Sequence, residues 1–254
     1  MSAPLEVLLV EDDPVLREVL ELHLQAEGWR VRSSGDGLAA LGLCQERRPD
    51  IAILDVNLPG RSGIEVCATL RAAHHPSPGV IFVTARGGEM DVILGLEVGA
   101  DDYVIKPCRP REVVARVRSL ARRLSSAPAG AQAPAAAAPA AAPAAAPAVA
   151  APAEAVLTLG RLQIDVPARR VQVGRAAVRL TPTEFALLHF LARAPDRVFT
   201  RAQLLQGVWE TDNDGYQRNV DCHVTRLRKK LEAAGLSPPP IETIHGVGYR
   251  YLPA

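Results

Sequence analysis

Several residues in the first half of the chain have the types and spacing needed for metal or phosphate chemistry. Asp55, Lys106 and the pair Glu11 and Asp12 each follow directly on a short apolar run. In parallel α/β sheets the functional groups lie at the carboxyl ends of the strands. These acids and the lysine are therefore expected at one edge of a sheet.

The chemistry of such a cluster depends on how its charges balance. Three carboxylates within several ångströms of each other repel strongly unless a cation lies among them, and oxygen ligands suit Mg2+. Lys106 can neutralise a phosphoryl oxygen, and Thr84, which ends the apolar run 80–83, can donate a hydroxyl hydrogen bond. Together these residues predict a phosphoryl-transfer site.

The elements that position these residues can be predicted from the apolar pattern of residues 1–124. Four short apolar runs, at 7–10, 51–54, 80–83 and 103–105, alternate with helical patterns at 14–26, 37–47, 63–74, 90–98 and 110–124, and a fifth strand is predicted at 29–33. Near-continuous Val, Ile and Leu runs separated by helices are typical of a parallel sheet that is covered on both faces. We predict a five-stranded, doubly wound, flavodoxin-like α/β domain.

Residues 125–155 consist almost entirely of alanine and proline. Prolines every four to six residues interrupt any alanine helix, and alanine alone offers too little apolar area for a core. The segment is predicted to be a disordered linker and not a membrane span. It would leave residues 1–124 and residues 156–254 free to orient independently.

The net charge of +1 is unevenly divided. Residues 1–124 hold 15 basic and 18 acidic side chains, whereas residues 154–254 hold 14 basic and 10 acidic ones. The four cysteines lack the CxxC spacing of zinc sites and of disulfide frameworks. The chain starts without a basic leader or a long apolar segment, so we expect a cytoplasmic protein that does not bind membranes.

The basic module has the order strands, three helices and a hairpin, which predicts an α+β domain. Short alternating segments fill residues 156–180, and a glycine-rich hairpin is predicted at 241–252. Between them, residues 218–231 form an amphipathic helix with a basic outer face. Such a face suits the major groove of DNA, although many basic helix faces are only solvated.

Four motifs of the first module resemble the receiver domain of bacterial response regulators: Val-Glu-Asp-Asp, Leu-Asp-Val-Asn-Leu-Pro-Gly, Val-Thr-Ala-Arg and Gly-Ala-Asp-Asp-Tyr-Val-Ile-Lys-Pro. The resemblance spans Leu5 to Arg123. It implies that Asp55 accepts a phosphoryl group from a sensor histidine kinase. Mg2+ would be held by Asp12, Asp55 and the Asn57 carbonyl, with Glu11 acting through a metal-bound water.

The resemblance also implies how the receiver transmits the signal. Thr84 and Tyr103 would form a switch pair, in which Tyr103 turns inward after phosphorylation. The receiver is expected to form a homodimer through a face that contains Glu97, Asp102, Arg116 and Arg118. This chain has Val92 where the family usually carries a basic residue at the dimer face.

The second module, from Val156 to Leu252, resembles the winged-helix effector of OmpR/PhoB-type regulators. The resemblance rests on Leu-Thr-Pro-Thr-Glu-Phe-Ala-Leu-Leu, Val-Phe-Thr-Arg-Ala-Gln-Leu-Leu and Thr-Ile-His-Gly-Val-Gly-Tyr-Arg-Tyr. It implies promoter DNA as a partner, and residues 210–216 either contact RNA polymerase or form only an exposed turn. The implied DNA-binding residues are Trp209, Arg218, Asn219, His223, Arg226, Arg228, Thr243, His245 and Tyr249.

Within that set, Asn219 and Arg226 are expected to read bases, and Arg218, His223, Arg228 and Trp209 to touch the phosphate backbone. Trp209 also fits a second interpretation, as part of the three-helix core. His245 departs from the family, which often has arginine at this position of the wing.

Two other functions would use the same strand-end Asp or the same two modules. Phosphatases of the haloacid dehalogenase type also use an Asp at a strand end, but they need a second Asp two positions later, where this chain has Asn57. The protein is therefore expected to catalyse only its own phosphorylation and dephosphorylation. The remaining alternative is a DNA-binding protein that works without phosphorylation and uses its receiver only for dimerisation.

Overall fold

The computed structural model describes residues 4–73, 77–85, 98–125, 156–211 and 217–253. The first module contains five strands, β1 (Glu6–Val10), β2 (Arg30–Ser34), β3 (Ile51–Asp55), β4 (Gly79–Ala85) and β5 (Asp102–Lys106). All are parallel, and their order is β2-β1-β3-β4-β5. The predicted five-stranded, doubly wound sheet is confirmed, with β5 at one edge.

The described helices of this module are α1 (Pro14–Gln25), α2 (Gly37–Glu46), α3 (Gly63–Ala73) and α4 (Pro110–Ser125). The predicted helix at 90–98 lies outside the described residues except for its last position. Alternate residues of each strand face opposite sides of the sheet, so Leu8 and Val10 join one apolar core and Val7 and Leu9 the other. Burial on both faces explains the nearly continuous apolar runs.

The second module starts with a four-stranded antiparallel sheet of β6 (Val156–Leu159), β7 (Leu162–Asp165), β8 (Arg170–Val173) and β9 (Ala176–Val178). Its helices are α5 (Pro182–Ala192), α6 (Arg201–Leu204), which continues into a π-helical turn at Leu205–Trp209, and α7 (Gln217–Ala233). The strands β10 (Phe199–Thr200), β11 (Ile241–Ile244) and β12 (Gly248–Tyr251) form a second antiparallel sheet in the order β10-β12-β11. This arrangement is the predicted α+β winged-helix domain.

Local sequence explains where α5 begins. The Thr181 hydroxyl accepts a hydrogen bond from the Glu184 N–H, and the Glu184 carboxylate accepts one from the Thr181 N–H. This reciprocal capping box, with Pro182 as the first helical residue, satisfies N–H groups that the helix itself leaves unpaired. Glu184 is also fully buried, so its charge needs partners within the protein.

The two modules are packed against each other. Helix α4 of the receiver module contacts α5 and the π-helical turn of the winged-helix module, and the start of β5 contacts α5 and α7. The prediction that the modules orient independently therefore differs from the structure. That prediction rested on the alanine and proline segment alone. Most of this segment, residues 126–155, lies outside the described residues. No helix of the part of the chain that the structure describes could span a membrane.

Candidate functional site

The carboxyl ends of β1 and β3 bring three acids together. One carboxylate oxygen each of Glu11, Asp12 and Asp55 lies within 4.8 Å of the other two. Glu11 and Asp55 are buried, while Asp12 is exposed at the mouth of the pocket. The pocket therefore has a buried floor and a ligand group that solvent can reach.

Lys106, at the end of β5, is the positive charge of this pocket. Its Nζ donates hydrogen bonds to Oε1 of Glu11 and to Oδ2 of Asp55, both at 2.6 Å. Burial alone would lower the pKa of Lys106, but the hydrogen bonds and charges of Asp55 and Glu11 outweigh it and raise that pKa. Burial raises the pKa of Glu11 although Lys106 lies beside it.

The Asp55 carboxylate is oriented from two sides. Its Oδ1 accepts a hydrogen bond from the backbone N–H of Asn57 at 3.0 Å, and its Oδ2 faces Lys106. The backbone below it is confined by Gly63, the first residue of α3, where a Cβ would lie 1.9 Å from the Asp55 carbonyl oxygen. Position 63 therefore requires glycine. Gly63 is not among the site residues predicted from the sequence, although a glycine that begins a helical pattern after the Asp55 strand is a usable signal of such a close approach.

A second missed residue is Arg17, on the first turns of α1. Its Nη1 donates to the Glu11 carbonyl at 2.6 Å and lies 3.4 Å from the Asp12 carbonyl. Arg17 thus holds the backbone that presents two of the three acids. An arginine one helical turn after Asp13, the residue that caps α1, was the available signal.

The acidic residues fit a bound divalent cation. Oε2 of Glu11 is buried and has no hydrogen-bond partner among the residues that the structure describes. A buried carboxylate oxygen without a partner is costly unless a ligand satisfies it. Three carboxylates around one point are the hard oxygen donors that Mg2+ prefers.

Thr84 and Tyr103 lie on the neighbouring strands β4 and β5. The Thr84 hydroxyl donates a hydrogen bond to the Ala85 carbonyl at 3.3 Å, and Thr84 is almost fully buried. Tyr103 is buried, with 6% of its surface exposed. The next peptide bond after Lys106, to Pro107, is cis.

Two fully buried acids lie at the other end of β5, Asp101 just before the strand and Asp102 as its first residue, and both face the second module. Oδ1 of Asp101 accepts a hydrogen bond from the Thr183 N–H at 2.9 Å, in the first turn of α5. Its Oδ2 accepts from the Val80 N–H at 2.9 Å and from Arg71 at 2.7 Å. Burial alone would raise the pKa of Asp101, but Arg71 and these N–H groups lower it to about 2. An acid of the receiver module therefore caps a helix of the other module.

Asp102 and its neighbours contact the helix predicted to read DNA. Nδ2 of Asn219 lies 3.1 Å from Oδ1 of Asp102, and Nη1 of Arg226 donates to the Ala100 carbonyl at 3.2 Å. Arg116 pairs with Asp102 from within the receiver module at 3.6 Å. Burial raises the pKa of Asp102 despite that arginine.

Helix α4 contributes the rest of the contact between the modules. The Ser119 hydroxyl donates to the Trp209 carbonyl at 2.8 Å, and Nε of Arg122 donates to Glu210 at 2.9 Å. Arg123 is buried and bonds the Thr183 hydroxyl. The Arg122–Glu210 pair is half exposed at the rim, whereas Ser119 lies inside.

This packing covers much of the predicted DNA-reading surface. Asn219 and His223 are fully buried and Arg226 is 8% exposed, so the basic outer face expected of α7 is not free in this structure. Trp209 is buried at the contact between the modules: its Nε1 donates to the Asp101 carbonyl at 3.3 Å, and its ring lies edge-on to His223 with 5.3 Å between the ring centroids. The side chain of Arg218 lies outside the described residues.

The remaining predicted DNA-binding residues lie on or beside the wing. Arg228 donates to the Ile241 carbonyl at 2.9 Å and to the Thr243 hydroxyl at 2.8 Å, so it ties α7 to β11. The Tyr249 hydroxyl donates to Asp221 at 2.7 Å. Burial, with this hydrogen bond, raises the pKa of Tyr249 to about 12. His245 is exposed in the turn between β11 and β12.

The expected dimer face is partly used within the chain. Asp102 and Arg116 pair with each other and are both buried. Arg118 pairs with Glu27 of the same module, with 2.7 Å between Nε and Oε2. Its expected partner Glu97, like Val92 and most of the 210–216 loop, lies outside the described residues.

Comparison with known proteins agrees with both modules. Residues 7–118 match the family described as response regulator receiver domain, and residues 174–251 match the family described as transcriptional regulatory protein, C terminal. The DNA-binding response regulator MtrA of Mycolicibacterium smegmatis is 41% identical over 247 residues, covering 97% of this chain and 96% of that protein.

Other relatives extend over the same length. The transcriptional regulatory protein CreB of Escherichia coli is 40% identical over 243 residues, covering 96% of each chain. A solved structure of a mutant RitR is 26% identical, with a TM-score of 0.69 and coverage of 98% of this chain and 100% of that one. The similarity therefore includes both modules together.

Proposed function

This chain belongs to the OmpR/PhoB-type response regulators, phosphorylation-dependent transcriptional regulators with a DNA-binding domain, and we propose that Asp55 is the residue that accepts the phosphoryl group. The observation that carries the proposal is the pocket in which Lys106 and the Asn57 N–H each hold one oxygen of the Asp55 carboxylate. Its relatives are regulators and not turnover enzymes.

The chemistry follows from the groups around Asp55. A carboxylate oxygen attacks the phosphorus of a phosphohistidine on the sensor histidine kinase, the O–P bond forms, and the P–N bond breaks as the imidazole leaves. Lys106 neutralises charge on the transferred group, and the Thr84 hydroxyl donates a hydrogen bond to it. Because position 57 is Asn, this pocket has no general acid there, and the acyl phosphate persists as a signal.

We further propose that the pocket works with Mg2+. Glu11, Asp12, Asp55 and the Asn57 carbonyl would hold the ion, which would offset the negative charge of the acids and of the phosphoryl group. The unpartnered Oε2 of Glu11 and the exposed position of Asp12 support this assignment. Arg17 keeps the backbone of both residues in place.

The output is proposed to depend on separation of the modules. We call the arrangement in which the two modules are packed together the closed arrangement. It buries Asn219, His223 and Arg226, so specific DNA binding requires the winged-helix module to leave the receiver. Phosphorylation would favour this opening through Thr84, Tyr103 and β5, which carries Lys106 at one end and Asp102 at the other. Asp102 and Arg116 then become available to a receiver homodimer.

Two receivers held together would bring two winged helices to neighbouring half-sites of promoter DNA. A spacing of about 10 base pairs between half-site centres suits such a dimer. We also propose that the 210–216 loop contacts RNA polymerase. All of these partners are those of a cytoplasmic regulator.

The experiment is phosphorylation by acetyl phosphate with Mg2+, followed by intact-protein mass measurement. Wild type is expected to gain one phosphoryl group, and Asp55→Asn none. Asp50→Asn, at the exposed residue just before the same strand, is the matched control and should be modified like wild type. Phosphorylated wild type should also bind promoter DNA more tightly than the unmodified chain.

Two outcomes would contradict the proposal. If wild type stays unmodified with acetyl phosphate and with its kinase, Asp55 is not a phosphoryl acceptor. If modification occurs but leaves DNA affinity and oligomeric state unchanged, the protein works as a phosphorylation-independent DNA-binding protein.

A further inference from the structure

A cleft of about 390 Å³ lies between the two modules and opens to solvent. The receiver supplies Arg71 and Gly99 to its wall, and the winged-helix module supplies the segment 179–181 and the side of α7. Five cationic side chains line it: Arg71, Arg179, Arg226, Lys229 and Lys230. The phosphorylation pocket is a separate site, because none of its acids or Lys106 lines this cleft.

The charges of the cleft are only partly balanced. Asp101 pairs with Arg71 at 2.7 Å, and Glu184 pairs with Arg226 at 2.7 Å and with Lys230 at 2.5 Å. Among the described residues these two carboxylates face five cations, which leaves three positive charges around a small concave space. A concave site with walls of low dielectric concentrates such a potential and attracts anions.

The cations differ in how firmly they are held. Arg71 is fixed on the receiver side, because its Nε donates to the Gly99 carbonyl at 2.9 Å and its Nη2 faces Asp101. On the other side Arg226 is fixed by Ala100 and Glu184. Arg179 and Lys229 are exposed at the rim. The floor is thus pre-organised, and the rim can close on a ligand at the cost of ordering two side chains.

We propose that this cleft binds a small phosphorylated molecule with two or more negative charges. Phosphate is favoured because an arginine guanidinium forms paired hydrogen bonds with its oxygens, and the exposed Arg179 can do so beside the positive charges of the fixed Arg71 and Arg226. Val98 and Leu180 add apolar wall, which suits a ligand with an organic part besides its phosphates. A DNA duplex, whose major groove alone is about 12 Å wide, is too large for this space.

The ligand would act on the balance between closed and open arrangements. The cleft has one wall from each module, so it exists only while they are packed together. A molecule that binds the closed form alone stabilises that form, and DNA and the ligand then weaken each other's binding by the same factor. Because α7 supplies three of the cations, the ligand would hold the helix that is proposed to read DNA.

Isothermal titration of the unphosphorylated full chain tests the site, with pyrophosphate and inorganic phosphate as probes and sulfate as a comparison, all at one ionic strength. We expect saturable binding, tighter for pyrophosphate than for sulfate. The double variant Arg179→Glu with Lys229→Glu should weaken pyrophosphate binding by about tenfold or more. Both side chains are exposed, so these changes leave the cores intact.

The matched control is Arg170→Glu with Arg175→Glu, which makes the same charge change on exposed positions of the β7–β9 region of the same module. It should bind pyrophosphate within about twofold of wild type.

Two results would overturn the proposal: no saturable binding of either phosphate probe to wild type, or equal loss in the cleft and control variants. The titrations involve neither phosphorylation nor DNA. Failure here therefore leaves the role proposed for Asp55 untouched.

Discussion

The side-chain amide of Asn219 donates a hydrogen bond to the Asp102 carboxylate at 3.1 Å, and both residues are fully buried. From the sequence, Asn219 is expected to read a base, and Asp102 is expected to lie in the interface of a receiver dimer. Under the proposed function each residue covers the surface that the other would use. Within one chain, the closed arrangement would therefore compete with DNA binding and with dimerisation at the same time.

Reversing one charge at the rim of the contact between the modules should favour the open arrangement. Arg122→Glu places a carboxylate beside Glu210, and we expect it to raise the DNA affinity of the unphosphorylated chain by about two- to fivefold, in keeping with the small energies of exposed ion pairs. Fluorescence anisotropy with promoter DNA measures the change.

The exchanged pair, Arg122→Glu with Glu210→Arg, provides the control for that experiment. It restores opposite charges across the rim and should return DNA affinity to the wild-type value. An increase that persists in the exchanged pair would mean that Arg122 acts on DNA binding in some other way.

Arg226 should matter for stability before any DNA is added. Glu184 is fully buried, and Arg226→Ala would leave it with Lys230 as its cationic partner. Loss of one partner of a buried charge predicts a decrease of about 2 kcal/mol in the free energy of unfolding, which urea titration measures.

Arg250→Ala is the comparison, because its pair with Glu242 is about one-third exposed and should contribute less than about 1 kcal/mol. Equal losses for the two variants would refute the structural role of Arg226. Only after this correction can a reduced DNA affinity of Arg226→Ala be attributed to base contacts.

His223 makes stability depend on pH. Burial and the nearby Arg226 lower the pKa of His223 from 6.5 to about 4, although Glu184, the Asn219 carbonyl and Asp101 oppose this shift. Between those pH values the unfolded chain binds a proton that the folded chain does not. The contribution of His223 therefore rises with pH through this window, by up to about 1.4 kcal/mol per pH unit.

Urea unfolding between pH 4 and 7 measures this slope. His223→Gln should flatten it, whereas His245→Gln, which changes an exposed histidine, should leave it as in wild type. Burial and Arg193 also lower the pKa of His189, which remains in both variants and keeps part of the slope. The same slope in His223→Gln and wild type would exclude the assignment.

Removal of Lys106 should make the acidic pocket depend on metal. In Lys106→Ala, Glu11 and Asp55 lose the ammonium group that each contacts at 2.6 Å, and we expect a loss of about 2 kcal/mol in stability without divalent ions. Mg2+ should then raise the melting temperature more than in wild type, because it replaces the missing positive charge.

Asp55→Asn removes one of the acids and should reduce the Mg2+-dependent rise below that of wild type. Thermal unfolding with and without Mg2+ compares the three proteins. A rise of equal size in all of them would argue against a metal site at these residues.

The sequence was sufficient for the elements and the pocket, because both depend on short-range patterns. The run before Asp55 is apolar at every position, which indicates a strand buried on both faces, and such strands end at the edge where ligands bind. The capping box that begins α5 is equally local, because it joins Thr181 and Glu184, three residues apart. Each of these features lies within a few neighbouring residues.

The contact between the modules could not be predicted in this way. Asn219 and Arg226 lie on the polar face of an amphipathic helix, and that pattern is the same whether the face meets water, DNA or another module. The hydrogen bond from Thr183 to Asp101 joins residues 82 positions apart, on either side of the alanine and proline segment. No periodicity encodes such a pairing.

Strand β5 has a consequence for how this chain can vary in length. Asp102 and Lys106 are four residues apart, so both side chains lie on the same face of the sheet, one at the contact between the modules and one in the acidic pocket. A residue inserted or deleted between them would turn one of the two to the opposite face. The chain can therefore tolerate substitutions in this strand more readily than any change in its number of residues.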